Sequence, residues 1–155
     1  MRTKNGKPAD ETLRDYIRHV LETGTLMSIA TADAAGVWVS DVNYVSDREL
    51  NIYWVSNTNA RHSVAIEASP QIAGTITISG HDEDDLGIQF AGRAERLDGP
   101  RADLIALQYA KRRRPVPRRR ADIRKGASWY VLRPTMIELI HEKYFGYEKQ
   151  KLILP

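Results

Sequence analysis

The sequence predicts a mainly β fold, a small antiparallel barrel with helices packed outside it. Three observations carry this reading. Short apolar or alternating runs, such as residues 25–31, 37–45 and 50–56, are separated by short turns, which favours antiparallel pairing. Helical periodicity occurs only in isolated stretches, so no regular strand–helix–strand alternation develops. A hydrophobic content of 42% over 155 residues is that of an ordinary globular domain with enough chain to bury a core. One domain covering residues 1–155 is the expectation.

The first nine residues read as a polar, flexible arm. Asp10 is placed to cap a helix by accepting a backbone N–H, and Glu11 suits the positive end of the dipole. Leu13, Tyr16, Ile17, Val20 and Leu21 then form one apolar stripe, and Gly24 supplies a stop. Residues 25–31 read as a strand, Ala34-Ala35-Gly36 as a turn, 37–45 as a second strand, Ser46-Asp47-Arg48 as a turn and 50–56 as a third strand. A short helix over 61–68 stops near Pro70. In residues 71–78, Ile72, Gly74, Ile76 and Ile78 share a face. In 87–97, Ile88, Phe90 and Ala94 face one way and Gln89, Arg93 and Glu95 the other. Gly99-Pro100 opens a helix running to about Arg112, with Pro100 in its first turn. Pro115 and Pro117 make the following segment a loop, residues 111–126. Residues 129–140 read as a strand interrupted near Pro134, and 147–154 as a last strand. The strands number about six or seven.

Charge is unevenly spread. The formal net charge is +3, but residues 111–125 hold nine bases and one acid, Asp122, for a local charge of +8. The remainder holds 14 bases and 19 acids. The basic pI therefore reports one patch on a mildly acidic body. No cysteine is present, which excludes disulfides, thiolate metal sites and a Cys nucleophile, and fits a cytoplasmic setting. The start lacks an apolar signal core, and no apolar run approaches the length of a membrane span.

Most catalytic motifs are missing. No Gly-rich phosphate loop of the dinucleotide or Walker type is present. His141-Glu142 begins like a zinc-protease helix, but Phe145 stands where the second histidine is required. The acidic run from His81 to Asp85 reads as a solvated hairpin loop rather than a cation site. Two places resist a purely structural reading. Asp41, in Ser40-Asp41, sits inside a strand, where Asp is disfavoured. In the stretch 56–63, Asn59 is placed to cap a helix whose first turn holds Arg61 and His62. Cations there oppose the helix dipole unless an anion sits at that N-terminus. Ser56, Arg61, His62 and the exposed N–H groups would then converge on a phosphate, with ordinary surface charge as the alternative.

These residues also carry a family resemblance. NIYWVSNTNARHSVAIEASPQIAGTI, from Asn51, resembles the phosphate-binding stretch of the pyridoxamine 5'-phosphate oxidase-like flavoproteins. There a strand ends in a small hydroxyl residue, a basic turn follows, and a Pro precedes the next strand. Ser56, Ala60-Arg61-His62 and Ser69-Pro70 are the counterparts. GIQFAGRAERLDG, from Gly87, resembles a later strand whose Gln faces the flavin. ARHS, YAKRRRPV and the terminal HEKYFGYEKQKLIL are similar to a small bacterial branch of that superfamily. The likeness covers about Leu13 to Leu154.

The resemblance implies a split β-barrel of about six antiparallel strands with flanking helices, and a homodimer with FMN bound at its interface. It assigns the phosphate to Ser56, Arg61 and His62. It places Trp38, Val39, Ser40, Asp41, Trp54 and Val55 along the isoalloxazine ring, partly through backbone groups, and Gln89 at the ring edge. From the other subunit it implies contributions near Trp129 and Phe145-Gly146-Tyr147. His62 replaces the lysine of the oxidase, so phosphate affinity is expected to weaken as pH rises. The oxidase's upstream Arg and C-terminal substrate residues have no clear match, so vitamin B6 oxidation is not expected.

The expected function is FMN binding by a flavin-dependent oxidoreductase whose cofactor carries the chemistry. The basic segment would attract an anionic substrate such as a nicotinamide cofactor. The alternatives are a flavin carrier or stress sensor with little turnover, the same fold holding a deazaflavin or haem, or a nucleic-acid module using residues 111–125. That segment lacks aromatic residues for stacking bases, which places nucleic acid last.

Overall fold

A computed structural model describes residues 8–117 and 124–155. Most of the expected arm and the centre of the basic loop lie outside the described residues. The elements run α1 (Asp10–Thr23), β1 (Leu26–Asp33), β2 (Gly36–Asn43), β3 (Val45–Ser46), β4 (Ile52–Asn57), α2 (Arg61–Ala68), β5 (Gln71–Thr77), β6 (Leu86–Arg96), α3 (Ala102–Lys111), β7 (Ala127–His141), α4 (Glu142–Phe145) and β8 (Gln150–Ile153).

The strands form one antiparallel sheet in the order β2-β1-β5-β6-β7-β4-β3, with β8 added on β7. Its two ends must meet. β2 and β3 lie at opposite ends of the path, yet only Tyr44 separates them in sequence. Two trans peptide steps hold Asn43 and Val45 within about 7.6 Å, so the sheet curls into a barrel. β7 organises it. One edge pairs with β6 from Tyr130 to His141. The other pairs first with β4, from Ala127 to Leu132, and then with β8, from Met136 to Leu139. The result is a split β-barrel with flanking helices, eight strands counting the two-residue β3.

Alternation sets the two faces. Along β6, Ile88, Phe90 and Ala94 are buried while Gln89, Arg93 and Glu95 are exposed, as the period-2 pattern requires. α1 buries Leu13, Ile17, Val20 and Leu21, each contributing about 1.5–3 kcal/mol of burial. That stripe, not capping, holds the helix. Ala9 occupies the cap position without a side-chain bond, and Asp10 is the first helical residue. A second apolar cluster joins Val45, Leu104, Ile105 and Trp129, seating α3 on the barrel.

Other expectations shift in detail. The strand over 37–45 breaks at Tyr44, whose hydroxyl donates to the Leu21 carbonyl at 2.9 Å. Pro100 precedes α3, and Arg101 takes the cap position. β7 runs unbroken through Pro134 because the β6–β7 register shifts between Ala91 and Gly92. Gly92 permits this: a Cβ there would lie 2.2 Å from the Arg133 carbonyl oxygen. Only Gln150–Ile153 of the last predicted strand is extended, since α4 and a turn precede it.

Candidate functional site

β4 ends where α2 begins, and this junction holds the expected anion site. Ser56 lies on the inward face of β4 with Trp54 and Ile52, yet at the barrel rim. His62, in the first turn of α2, brings its Nε2 to 2.7 Å from Ser56 Oγ. Ala60, not Asn59, is the cap residue, and no side chain caps the helix. The first-turn N–H groups of α2 therefore have no capping side chain, as suits an anion. Burial pushes the His62 imidazolium below its ordinary value, favouring the neutral ring.

The pair opens into a groove of about 380 Å³, whose walls include Asp41, Asn43, Val55, Asn57, Gln108, Arg112 and Arg124. Asp41 is the one carboxylate among these lining residues, and it accepts a hydrogen bond from Ser28 Oγ at 2.5 Å. Asp41 and Ser28 are cross-strand partners on β2 and β1, which gives this strand Asp a local reason to exist. Arg112 and Arg124 lie near the two ends of the basic segment and both line the groove. Sequence reading missed both residues. The arginine run announced charge, but nothing in it announced that its two ends return to His62.

Arg61 does not join Ser56 and His62 in this arrangement. Its guanidinium lies 4.3 Å from the Trp38 ring centroid and donates to the Ala35 carbonyl at 3.2 Å. Consecutive first-turn residues point about 100° apart on a helix, so Arg61 reaches toward the β1–β2 turn while His62 faces the groove. To meet a phosphate beside His62, Arg61 must leave Trp38. β2 itself is apolar and open: Val37, Trp38 and Val39 are 73%, 44% and 60% exposed. Ser40 is half-buried beside them.

The remaining predicted residues divide sharply. The Trp54 side chain is in the core, stacked on Tyr130 at 5.8 Å, so only its backbone is available to a ligand. Val55 lines the groove. Trp129 is buried in the second apolar cluster, under the same end of β7 as Ser56. Gln89 stands elsewhere. Ser56 pairs with Ser128 and Gln89 with Glu138, and these β7 positions are roughly 30 Å apart along an extended strand. Gln89 accepts a hydrogen bond from Lys149 at 2.8 Å. Phe145 packs against Tyr16 and His141 at that same far end, followed by Gly146 and the exposed Tyr147. One chain thus brings Ser56, His62, Val55 and Asp41 together, and separates them from Gln89 and Phe145–Tyr147.

One basic residue is structural. Lys111 Nζ donates to the carbonyls of Leu21 and Tyr44 at 3.1 and 3.2 Å and lies 3.6 Å from the Tyr44 ring centroid. It shares the Leu21 carbonyl, near the C-terminus of α1, with the Tyr44 hydroxyl. Burial lowers its ammonium to about 8, with Glu22 pulling the other way. Among the described residues, no group of three or more His, Asp or Glu is arranged to hold a metal, and no helix is long and apolar enough to cross a membrane.

This split-barrel architecture is similar to that of solved structures among the pyridoxamine 5'-phosphate oxidase-like proteins. A candidate pyridoxamine 5'-phosphate oxidase from Listeria innocua superposes with a TM-score of 0.66 and 13% identity, over 83% of this chain and 98% of that one. A heme binding protein from Mycobacterium smegmatis superposes with a TM-score of 0.69 and 18% identity, over 95% of this chain and 59% of that one. By sequence, the chain is 29% identical over 98 residues to a UPF0306 protein from Photorhabdus laumondii, covering 62% of this chain and 68% of that protein. No protein-family model matches the sequence.

Proposed function

We propose that this protein binds FMN at the β4–α2 junction and works as a flavin-dependent oxidoreductase. The observation that carries the reading is the Ser56–His62 pair at the first turn of α2, opening into a groove edged by Arg112 and Arg124. A hydroxyl, an imidazole, helix N–H groups and two guanidinium groups match the acceptor oxygens and charge of a phosphate monoester. The apolar β2 face around Trp38 and the backbone of Val55 suit a planar ring beside it. The residues therefore fit the group. When bound, FMN supplies hydride acceptance and donation. The chain's own part is to hold the phosphate, orient the ring and keep it against β2. No acid or base in the groove is needed for that role.

The reading includes a homodimer. Gln89 and Phe145–Tyr147 are too far from His62 to serve the same ligand within one chain. A second copy laid against the exposed β2 strand would bring its Gln89 end to the first copy's phosphate groove. Arg112 and Arg124 would also attract an anionic electron donor such as a nicotinamide cofactor.

A second reading is favoured by the likeness to a heme binding protein. Haem in the same groove would be held by His62, whose imidazole stands at the groove wall. The spectrum of the purified protein separates the two. The flavin reading expects a yellow protein, or a colourless one that takes up FMN, bleached by NADH or NADPH. A flavin spectrum that no reductant bleaches would leave a carrier or sensor. A Soret band with no flavin uptake would overturn the proposal.

A further inference from the structure

Beneath α3 lies a second cavity, which shares Asn43, Val55, Gln108 and Arg112 with the phosphate groove but extends away from it to Thr25, Tyr44, Tyr53 and Lys111. It encloses about 150 Å³, the size of the engineered protein cavity that accepts benzene, and too small for a fused tricyclic ring. Tyr44, Tyr53 and Trp129 supply aromatic surface, and Gln108, Lys111 and Arg112 supply donors. Tyr53 is not a free donor, since its hydroxyl is committed to Asp47 at 2.8 Å. Lys111 is different. An ammonium has three donors, and two of them are engaged by the Leu21 and Tyr44 carbonyls. Among the described residues it forms no ion pair within 4.0 Å.

A half-buried cation with no carboxylate in ion-pair contact, beside an apolar slot of one-ring size, defines a ligand chemistry. We propose that this cavity binds a single aromatic ring carrying one carboxylate. The ring packs among the aromatic side chains, and the carboxylate meets the remaining Lys111 donor and Arg112 at the mouth. The charged and titratable groups facing Lys111 are Glu22 from α1, Tyr44 from the β2–β3 link, Tyr53 from β4 and Arg112 beyond α3. A bound carboxylate would hold the proton on Lys111, so affinity falls as pH rises through about 8.

The test is titration calorimetry on the full chain with benzoate, and with benzyl alcohol as its uncharged counterpart. Saturable one-site binding of benzoate is expected, with the alcohol about tenfold weaker or worse and with benzoate weakening above the Lys111 titration. Thr25→Trp, which fills the rim of this cavity and not the phosphate groove, is expected to abolish it. Lys111→Met is expected to remove the preference for benzoate; because Lys111 also ties down α1, Thr25→Trp decides the matter if that variant fails to fold. Absence of saturable binding, equal affinity for the alcohol, or benzoate binding unchanged in Thr25→Trp would overturn the proposal. Flavin uptake is read separately from the visible spectrum, so this site and the FMN site can fail independently.

Discussion

The two ends of β7 present different surfaces. Near Ser128 the strand lies under a groove edged by His62, Arg112 and Arg124. Near Glu138 it carries Gln89, Lys149 and Lys151 on its neighbours, and beyond it an aromatic cluster of Tyr16, His141, Tyr144 and Phe145. The first end gathers two arginines, an imidazole and a hydroxyl around one groove. The second is an aromatic shoulder, where the His141 and Tyr144 rings stack with centroids 4.3 Å apart. On the proposed reading a single chain owns two half-sites, which strand length keeps apart. A β-strand cannot fold back to bring its own ends together, so the proposed homodimer would have to join them.

The largest effect separates core from site at the first end. Trp54→Ala removes a fully buried indole stacked on Tyr130 and is expected to cost about 3–5 kcal/mol in denaturant unfolding. Trp38→Ala, at an exposed ring, is expected to stay within about 1 kcal/mol. Equal losses would erase the distinction between the two tryptophans. Next, Arg61→Ala is expected to weaken FMN by about 1.5–3 kcal/mol, measured by fluorescence titration, with little change in stability. Unchanged affinity would mean that Arg61 stays on Trp38 and never meets the phosphate.

A smaller effect addresses the two ends together. Gln89→Ala is expected to weaken FMN by about 0.5–1.5 kcal/mol. In mixed dimers of Gln89→Ala and Arg61→Ala chains, one of the two sites would contain both substitutions and the other neither, so part of the FMN should bind with wild-type affinity. If no such fraction is found, Gln89 belongs to the same chain's site or to none.

The smallest effect is in pH. The folded His62 titrates below its unfolded value of 6.5 because burial disfavours the charged ring. The unfolded chain then binds more protons in that window. The stability owed to the neutral ring is present above 6.5 and is lost as pH falls toward the lowered folded value. Phosphate binding runs the opposite way, since an anion favours the protonated ring. His62→Gln is expected to flatten both slopes, followed by thermal unfolding and FMN titration across the acidic range.

Much of the barrel was legible because alternation is local. The opposed faces of Ile88 and Gln89, and the stripe from Leu13 to Leu21, needed only neighbouring residues. The caps at Asp10 and Asn59 were misplaced by one residue, a shift that side-chain chemistry alone does not reveal. Pro134 looked like a break because the compensating register shift lies on another strand, at Gly92. The same reason hid Arg112 and Arg124 from the site and Lys111 from its structural role. Each is defined by a partner distant in sequence. The division of Gln89 from Ser56 was hidden too, because spacing along the chain does not report distance across a sheet.

The single-residue link at Tyr44 has a consequence for how the molecule opens. It links the two end strands of the curled sheet, and its hydroxyl and carbonyl also tie in α1 and Lys111 of α3. A sheet whose two end strands are linked through one residue in this way is expected to open as a unit. Amide hydrogens on β1, β4 and β7 are therefore expected to exchange with one common free energy, equal to that of global unfolding. Tyr44→Ala is expected to split that single value into two, with the β2–β1 side exchanging first.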